Sequence, residues 1–261
     1  MNNNRSYTVD AIQKMDQILT FVQQKKETTF SEVCTELNFA KSSTYRLLSC
    51  LMNLGYLRQN SNGKIELGIR LFELGYQMSK NIDLIDIAHP HLETLSLKTG
   101  YMVHLGVLKQ NGEGVFLDRI DCREYTLTDT AIGGRVKLHC SAVGKALLAW
   151  QEPEILNAII EKMEFDRCTS HTITDKEQFA EEMKLTKMRG YSVDNTEHEN
   201  YIIGIGVPVF DWENHVVAGI SIGAFKSEFN IGTIDFFVES LKAASRAITK
   251  SIGVKKVSYM I

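Results

Sequence analysis

The segment that most constrains the fold runs from Phe30 to Gly68 and reads FSEVCTELNFAKSSTYRLLSCLMNLGYLRQNSNGKIELG. It opens with a short helical pattern over 32–37, which the hydroxyl of Ser31 can cap. A tight turn follows, and a longer helical pattern covers about 41–53. Two helices joined by so short a turn are typical of a helix-turn-helix motif.

A β-hairpin is predicted directly after the second helix. Gly55 can end that helix in the left-handed conformation, and the Asn62-Gly63 pair between two short apolar segments favours a tight hairpin turn. A further helix, with apolar residues at three-and-four spacing, is expected over 10–24. Three helices and a hairpin predict a winged helix-turn-helix.

The longer helix has a polar and basic start that a plain core helix does not need. In a helix-turn-helix motif, the first residues of the second helix contact DNA in the major groove. Hydroxyl and N–H groups at a helix start also bind phosphate oxygens. We therefore expect this unit to bind double-stranded DNA. The candidate DNA-binding residues are Ser31, Lys41, Ser42, Ser43, Thr44, Tyr45, Arg46, Asn62 and Lys64. The apolar stripe expected to hold the helix to its core is Tyr45, Leu47, Leu48, Leu51, Met52 and Leu54.

The charge distribution supports a local contact with a polyanion. The whole chain has a net charge of −3, whereas residues 40–70 contain five bases and one acid, a balance of +4. A cluster of positive charge on one segment of a mildly acidic chain indicates one module that touches nucleic acid, not a protein coated by it.

Composition limits the class of protein. With 261 residues, 44% hydrophobic and 23% charged, the chain is typical of a globular protein of one or two domains. It has no apolar run long enough for a transmembrane helix and no apolar leader, so we expect a cytoplasmic protein without membrane contact. Its five cysteines include no CxxC pair. We interpret them as reduced thiols and predict no metal site and no cofactor.

The remaining pattern predicts an α+β protein with three parts: a winged helix-turn-helix over 1–68, a linker helix over 69–82, and a second domain over 83–261. In this second domain, strands and amphipathic helices alternate irregularly, which indicates an antiparallel sheet covered by helices. One of the expected strands covers 125–131.

Several segments together resemble the IclR family of bacterial transcription regulators. They are FSEVCTELNFAKSSTYRLLSCLMNLGYL, IELGIRLFELG, HCSAVGKALLAW, HTITDKEQFAEEMKLTKMRGYSVDNTEHE and GVPVFDWENHVVAGISI, and the resemblance covers about residues 9–253. It implies a GAF-like second domain that senses a small carboxylate metabolite, self-association as a dimer or tetramer, and regulation of operator binding. The stretches LFELGYQMSKNIDLI, HLGVL, RID and LLAW are similar to the subgroup that regulates sugar-acid catabolism, of the ketodeoxygluconate type.

The resemblance also implies an effector pocket. The residues that match its pocket positions are Val136, Ser141, Ala142, Val143, Gly144, Asp194, Ile202, Gly204, Ser221 and Gly223. Gly144-Lys145 lacks the spacing of a nucleotide P-loop, but the N–H groups at the start of that helix can hold a carboxylate. The small residues there are equally consistent with plain helix–sheet packing. Arg135 can pair with a carboxylate, although an arginine in a loop is more often solvated.

Two positions depart from the family's pattern. The chain reads NYIIGIGVP where LGVRCIAVP is typical, so Tyr201 replaces a glycine and Gly204 replaces a cysteine. Both departures leave the shape of the pocket, and hence the identity of the ligand, open.

Two other functions are compatible with parts of the pattern. A sensor acting through protein partners alone needs no basic helix start, and an enzyme needs a nucleophile and a base. The pair His139-Cys140 is poorly placed for catalysis if it lies on a strand, because adjacent strand residues point to opposite faces. Cys168 and His171 lack a third group at readable spacing, and His89-Pro90-His91 does not form a convincing metal site. We therefore expect no enzymatic activity.

Overall fold

The computed structural model describes residues 9–79, 83–121, 130–229 and 234–255. The chain separates into two compact units, which divide between Asn81 and Ile82. The observed architecture confirms the α+β class. No helix among the described residues is long and apolar enough to cross a membrane.

The described residues of the first unit form four helices and one hairpin. The elements are α1 (Asp10–Lys25), α2 (Phe30–Glu36), α3 (Lys41–Asn53), β1 (Leu57–Gln59), β2 (Ile65–Leu67) and α4 (Ile69–Ser79). Strands β1 and β2 pair antiparallel. The small core collects side chains from α1, α2, α3 and the hairpin: Ile18, Phe21, Val22, Val33, Leu48, Leu51, Leu57 and Ile65.

The cap of α2 is Thr29 and not Ser31, so the prediction for Ser31 was wrong. The Thr29 hydroxyl accepts a hydrogen bond from the Glu32 N–H at 3.3 Å, and the Glu32 carboxylate accepts one from the Thr29 N–H at 2.7 Å. This reciprocal capping box satisfies two backbone donors at once. It starts the helix at Phe30, so Ser31 lies exposed within its first turn.

The apolar stripe of α3 is narrower than expected. Leu48 and Leu51 are buried, but Tyr45 and Leu54 are 66% and 57% exposed. The hairpin turn also differs from a two-residue turn, because Asn60 and Lys64 still pair across it. Gly63 takes the left-handed conformation with φ of +76°, and the Asn60 side chain accepts hydrogen bonds from Asn62 N–H and Lys64 N–H, each at 3.0 Å.

In the second unit, the described residues form a six-stranded antiparallel sheet with helices on both faces. Its helices are α5 (Asp83–Thr99), α6 (Ala142–Leu148), α7 (Pro153–Lys162), α8 (Lys176–Arg189) and α9 (Ile234–Lys255). Its strands are β3 (Met102–Leu108), β4 (Gly114–Ile120), β5 (Arg135–Val136), β6 (Ser192–Asn195), β7 (Ile202–Phe210) and β8 (Val216–Phe225). The strand order is β5-β4-β3-β8-β7-β6.

Successive side chains along each strand point to opposite faces of the sheet, so the unit has two cores. On one face, Val103 and Leu105 of β3 pack with Leu92 of α5 and Leu241 of α9. On the other face, α6, α7 and α8 pack over Phe116 of β4. This second face carries His104, Gly204 and Ser221, so the helix that covers it meets small and polar side chains.

Of two further expected elements, the strand is not seen in the part that is described, whereas the helix is present as far as it is described. Of the strand expected over 125–131, only Thr130 and Ala131 lie among the described residues, and neither is part of a strand. The helix predicted over 69–82 is described as far as Ser79 and belongs to the first unit. Hydrogen bonds from Gly68 N–H to Tyr56 O, at 2.8 Å, and from Arg70 N–H to Gly55 O, at 3.1 Å, fix its start beside the hairpin.

Candidate DNA interface and effector cavity

The start of α3 presents most of the candidate DNA-binding side chains to solvent. Lys41, Ser42, Tyr45 and Arg46 are exposed, and Ser43 is half-buried. Thr44 is the exception and corrects the prediction, because its side chain is fully buried and its hydroxyl donates to Ala40 O at 3.1 Å. The backbone satisfies this hydroxyl locally, so Thr44 can pack into the core.

Ion pairs occupy the bases that lie outside the start of α3, so the unpaired positive charge of this segment lies at the start of that helix. Arg58 pairs with Glu66 at 2.8 Å, and Lys64 pairs with Glu27. Arg70 likewise pairs with Glu73, at 3.0 Å. No ion pair is found for Lys41 or Arg46 within the described part of the chain. The charge cluster in the sequence therefore reduces to two exposed bases about one and a half helical turns apart.

The hairpin tip brings two further candidates to the surface. Asn62 is exposed, and Lys64 is half-buried with its ammonium held by Glu27. That pair raises the pKa of Lys64. Asn60, which sequence reasoning did not single out, fixes the tip through its side chain.

A small cavity of about 50 Å³ lies between the start of α6 and the sheet. Eight of the ten candidate effector residues line it: Ser141, Ala142, Val143, Asp194, Ile202, Gly204, Ser221 and Gly223. The sequence did not predict the other lining residues, which are Met102, His104, Phe116, Thr130, His198 and Ile222. These belong to separate strands and loops, so no spacing in the sequence indicates that they meet.

The remaining two candidates do not line the cavity. Val136 is buried in the apolar core with Phe116 and Leu138. Gly144 faces Leu138, where an added Cβ would lie 2.6 Å from the Leu138 Cα, and its N–H donates to the Ser141 hydroxyl at 3.2 Å. Packing and the helix cap account for these two positions.

The start of α6 offers backbone donors to the cavity. Ser141 is the N-cap, and the first intrahelical bond runs from Lys145 N–H to Ser141 O at 3.0 Å. The N–H groups of Ala142 and Val143 precede that bond, and N–H groups at this position have no carbonyl partner within a helix. They can therefore donate to a ligand oxygen.

Glycine at 204 allows α6 to approach the sheet closely. A Cβ at Gly204 would lie 2.9 Å from the Ala142 Cβ, so a larger residue there has to displace the start of the helix. The other departure from the family pattern, Tyr201, is 76% exposed and does not line the cavity. The bulk of the Tyr201 side chain therefore lies outside this cavity.

Asp194 supplies a buried carboxyl to the cavity. Burial raises its pKa to about 7, although its Oδ1 accepts hydrogen bonds from the N–H groups of Glu197, at 2.7 Å, and His198, at 3.3 Å. Near neutral pH this group can therefore either donate a hydrogen bond to a ligand or accept one from a hydroxyl.

Two histidines line the cavity as neutral imidazoles. Burial, aided by the Arg119 cation, lowers the pKa of His104 to about 4. Its Nε2 lies 2.7 Å from the Thr130 hydroxyl. Burial also lowers the pKa of His198. The cavity is consequently polar but contains no cationic side chain among its lining residues.

Behind the cavity lies a buried ion pair that the sequence did not reveal. The Lys145 ammonium is fully buried and donates to Glu197 Oε1 at 2.6 Å and to Val193 O at 2.9 Å. Burial raises the pKa of Glu197, and the Lys145 ammonium opposes that rise. The pair ties α6 to the loop after β6, which carries His198 and follows Asp194 on the strand, so it fixes the shape of the cavity wall.

The sulfur atoms near the cavity are arranged differently from the sequence expectation. His139 and Cys140 lie in a turn and not on a strand. One ring nitrogen of His139 and the sulfurs of Cys140 and Cys168 lie within 4.8 Å of one another. The turn therefore brings the two neighbouring side chains together, whereas a strand would have pointed them to opposite faces.

Comparisons with known proteins cover both units. A family model described as "IclR helix-turn-helix domain" matches residues 11–61, and one described as "Bacterial transcriptional regulator IclR C-terminal" matches residues 76–250. The chain is 34% identical over 247 residues to the HTH-type transcriptional regulator KdgR of Dickeya chrysanthemi, a match that covers 94% of this chain and 81% of that protein.

Solved structures share the fold. The IclR protein of Thermotoga maritima matches with a TM-score of 0.73 and 29% identity, over 94% of this chain and 99% of that one. An IclR homologue from Microbacterium hydrocarbonoxydans, complexed with 4-hydroxybenzoate, matches with a TM-score of 0.80 and 25% identity, over 93% and 99%. This chain belongs to the IclR family of bacterial transcription regulators, with a DNA-binding helix-turn-helix region and an effector-binding C-terminal domain.

Proposed function

We propose that this regulator binds operator DNA through the start of α3 and releases or tightens its hold when a small carboxylate metabolite enters the cavity beside α6. The observation that carries the proposal is the cavity itself. Several separate segments converge there, and they bring helix N–H groups, hydroxyls and one titratable carboxyl to a single cavity. A purely structural core does not need such a set of polar groups, because burying a polar group is costly unless it is hydrogen-bonded.

The lining favours an acid that also carries hydroxyl groups. The N–H groups at the start of α6 and the Ser221 hydroxyl suit a carboxylate, while Asp194 and His104 suit hydroxyls. The homologue complexed with 4-hydroxybenzoate holds a molecule of this type. The resemblance to regulators of sugar-acid catabolism points to a sugar acid or keto acid as the effector, and to a repressor of the corresponding catabolic operon in the cytoplasm.

Binding of such an acid requires movement of the cavity wall. A volume of about 50 Å³ accommodates only water-sized molecules. The start of α6 or the loop over 196–201 therefore has to shift when the effector enters. An effector changes DNA affinity only if it binds one of two arrangements of the protein more tightly than the other. The two positions of this wall supply two such arrangements.

Self-association is also part of the proposal. Helix α4 exposes Ile69, Phe72 and Tyr76 on its surface, at 67%, 66% and 51%. The Phe72 and Tyr76 rings stack with centroids 5.8 Å apart. Large apolar side chains grouped on one helix mark an interaction surface. Pairing of two copies places two α3 helices on the half-sites of a near-palindromic operator, as a dimer or within a tetramer.

A binding titration with the DNA upstream of the gene tests the DNA-binding part. We expect a sequence-specific shift that survives excess nonspecific DNA at moderate salt. A protein that binds this DNA no better than unrelated DNA of equal length contradicts the proposal.

A matched pair of glycine substitutions tests the effector part. Sugar acids and keto acids are screened for a rise in melting temperature, because a ligand that binds the native state stabilises it. Gly204→Ala places a methyl group against Ala142 and should abolish the rise, whereas Gly253→Ala has open space around it and should preserve the rise. An equal response in both variants contradicts the assignment of the cavity.

A further inference from the structure

Two cysteines lie close together beside the effector cavity. The sulfur atoms of Cys140 and Cys168 are 3.8 Å apart, although 28 positions separate them in the chain. Cys140 is buried in the turn before α6, and Cys168 is half-buried in the segment that leads to α8. The DNA-binding and effector roles proposed above use neither thiol.

We propose that Cys140 and Cys168 form an oxidisable thiol pair, which a hydroperoxide closes into a disulfide that locks the wall of the effector cavity. Disulfides in proteins of a reducing compartment are typically transient and redox-sensing. The chemistry of the thiols stands by itself, and only its consequence for effector binding rests on the proposed function.

The two thiols differ in accessibility, which assigns their roles. Cys168 is half-buried and can meet a small peroxide from solvent, whereas Cys140 has no exposed surface. Burial raises the pKa of the Cys140 thiol well above its usual range. Because the thiolate is the reactive form, Cys168 is the first site of attack and Cys140 the resolving thiol.

The steps balance with hydrogen peroxide as the oxidant. The Cys168 thiolate attacks one peroxide oxygen, the O–O bond breaks, and a sulfenic acid and hydroxide form. The Cys140 sulfur then attacks the Cys168 sulfur, loses its proton, and expels the sulfenic oxygen as water. Overall, two thiols and one hydrogen peroxide yield one disulfide and two water molecules.

One ring nitrogen of His139 lies within 4.8 Å of both sulfurs, so we assign His139 as the group that takes up the proton of Cys140. Its Nε2 donates to Asp166 O at 2.9 Å, which leaves Nδ1 as the basic nitrogen. Burial lowers the pKa of His139, so the ring is neutral before the reaction. A neutral imidazole beside a buried thiol supplies the base that resolution needs.

Closing the disulfide moves segments that shape the cavity. The sulfur atoms have to approach from 3.8 Å to about 2.05 Å. On one side, Cys140 directly precedes Ser141, the N-cap of α6 and a lining residue. The bond therefore constrains the start of the helix that has to shift when an effector enters.

On the other side, hydrogen bonds connect Cys168 to the loop after β6. The Cys168 N–H donates to the Thr172 hydroxyl at 3.1 Å, and that hydroxyl donates to Glu197 O at 2.7 Å. Thr169 donates to Thr196 O at 2.7 Å. The same loop carries His198 and donates the Glu197 N–H to Asp194. A disulfide therefore ties the start of α6 covalently to Cys168 and, through these hydrogen bonds, to the loop.

Peptide mass spectrometry of the full chain tests the chemistry without reference to any ligand. Reduced protein is treated with hydrogen peroxide, its free thiols are blocked, and it is digested without reductant. We expect a linked peptide pair containing Cys140 and Cys168, which disappears after thiol reduction. Cys50→Ser, which removes an exposed cysteine elsewhere, should leave the linked pair unchanged.

Three results would overturn the proposal. The first is oxidation that stops at a sulfenic or sulfinic acid on Cys168 with Cys140 still free. The second is linkage of either cysteine to a different partner. The third is a purified protein with bound zinc whose two thiols react only after chelation, because the pair is then a metal ligand set.

Hydrogen exchange tests the locking of the wall. Backbone amides over 141–145 and 194–198 should exchange on the order of tenfold more slowly in the oxidised protein, and recover after reduction. Cys168→Ala and Cys140→Ala should abolish the response to peroxide, and unchanged exchange in the oxidised chain contradicts the proposal.

In the oxidised chain the effector response should also weaken. If the reduced chain also shows no effector response, the proposed function is refuted, whereas the thiol chemistry is not affected.

Discussion

The two units use charged side chains in opposite ways. In the first unit, Lys41 and Arg46 lie on the surface of α3, and no acid pairs with them among the described residues. In the second unit, Lys145 is fully buried and pairs with Glu197 at 2.6 Å. Exposed charges cost the fold little and remain available to a polyanion, whereas a buried pair is coupled to stability and holds a shape.

In the proposed function, this difference separates DNA binding, which uses exposed bases of the first unit, from the effector response, which depends on buried groups of the second unit. A surface base can be removed with little change in folding, so its loss should appear in DNA binding alone. A buried charge beside the cavity cannot be removed without disturbing the wall. We therefore expect substitutions of the exposed bases in the first unit to weaken DNA binding. Substitutions of the buried charges in the second unit should instead lower stability.

The largest expected effect comes from Lys145→Met. This substitution leaves the Glu197 carboxylate buried without its cation, which should lower the free energy of unfolding by about 3–5 kcal/mol. Denaturant titration measures it. The exposed Lys162→Met is the matched control and should change stability by less than about 0.5 kcal/mol.

The double variant Lys145→Met, Glu197→Gln sharpens this test. Removing both charges should recover part of the lost stability, because the uncompensated carboxylate is the main cost. A single Lys145→Met variant as stable as the wild type would show that the pair does not hold the cavity wall.

The next effect concerns the pH dependence of stability through Asp194. Its pKa is about 7 in the folded protein and about 4 in an unfolded chain. Between these values the folded state binds more protons, so the contribution of this group to stability is full below about pH 4 and falls as pH rises to about 7. Asp194→Asn removes this loss.

The variant should therefore be more stable than the wild type at pH 8, by about 2–4 kcal/mol, and the gain should shrink towards pH 4. Thermal unfolding over this pH range measures the difference. Asp16→Asn, at an exposed position of α1, should show no such trend. A pH-independent difference at Asp194 would contradict the raised pKa.

A smaller effect should distinguish the observed helix cap from the predicted one. Thr29→Ala removes the capping box of α2 and should cost about 1 kcal/mol. Ser31→Ala should cost less than about 0.5 kcal/mol, because Ser31 lies exposed in the first turn. Chemical denaturation of both variants decides between the two caps, and the reverse order would restore Ser31 as the cap.

Much of the fold was readable from the sequence because helix periodicity and turn residues are local signals. The bounds of α3 agree with those predicted, and the antiparallel sheet was recognised from the irregular alternation of strands and helices. The errors concern which face of an element is buried. Thr44 is buried because Ala40 O satisfies its hydroxyl, and Tyr45 is exposed although it is apolar enough for the core.

The cavity was only partly predictable for a related reason. Family resemblance identified residues such as Asp194 and Ser221, which the structure brings to one space. It did not identify His104 or His198, and nothing in the spacing of the sequence connects them. Only the pairing of β3 with β8 places His104 opposite Ser221, and such long-range register leaves no local pattern in the chain.

The proposed function requires the start of α3 to supply the charge that binds DNA. The most direct test is the salt dependence of operator affinity for Lys41→Ala, Arg46→Ala, compared with Arg58→Ala, Lys64→Ala, whose bases are already paired with acids. We predict that the first double variant lowers the slope of log K against log salt by about one for each base that no longer neutralises a phosphate. The second should change it little. Equal slopes for the first variant and the wild type, or a larger change in the second, would contradict the account.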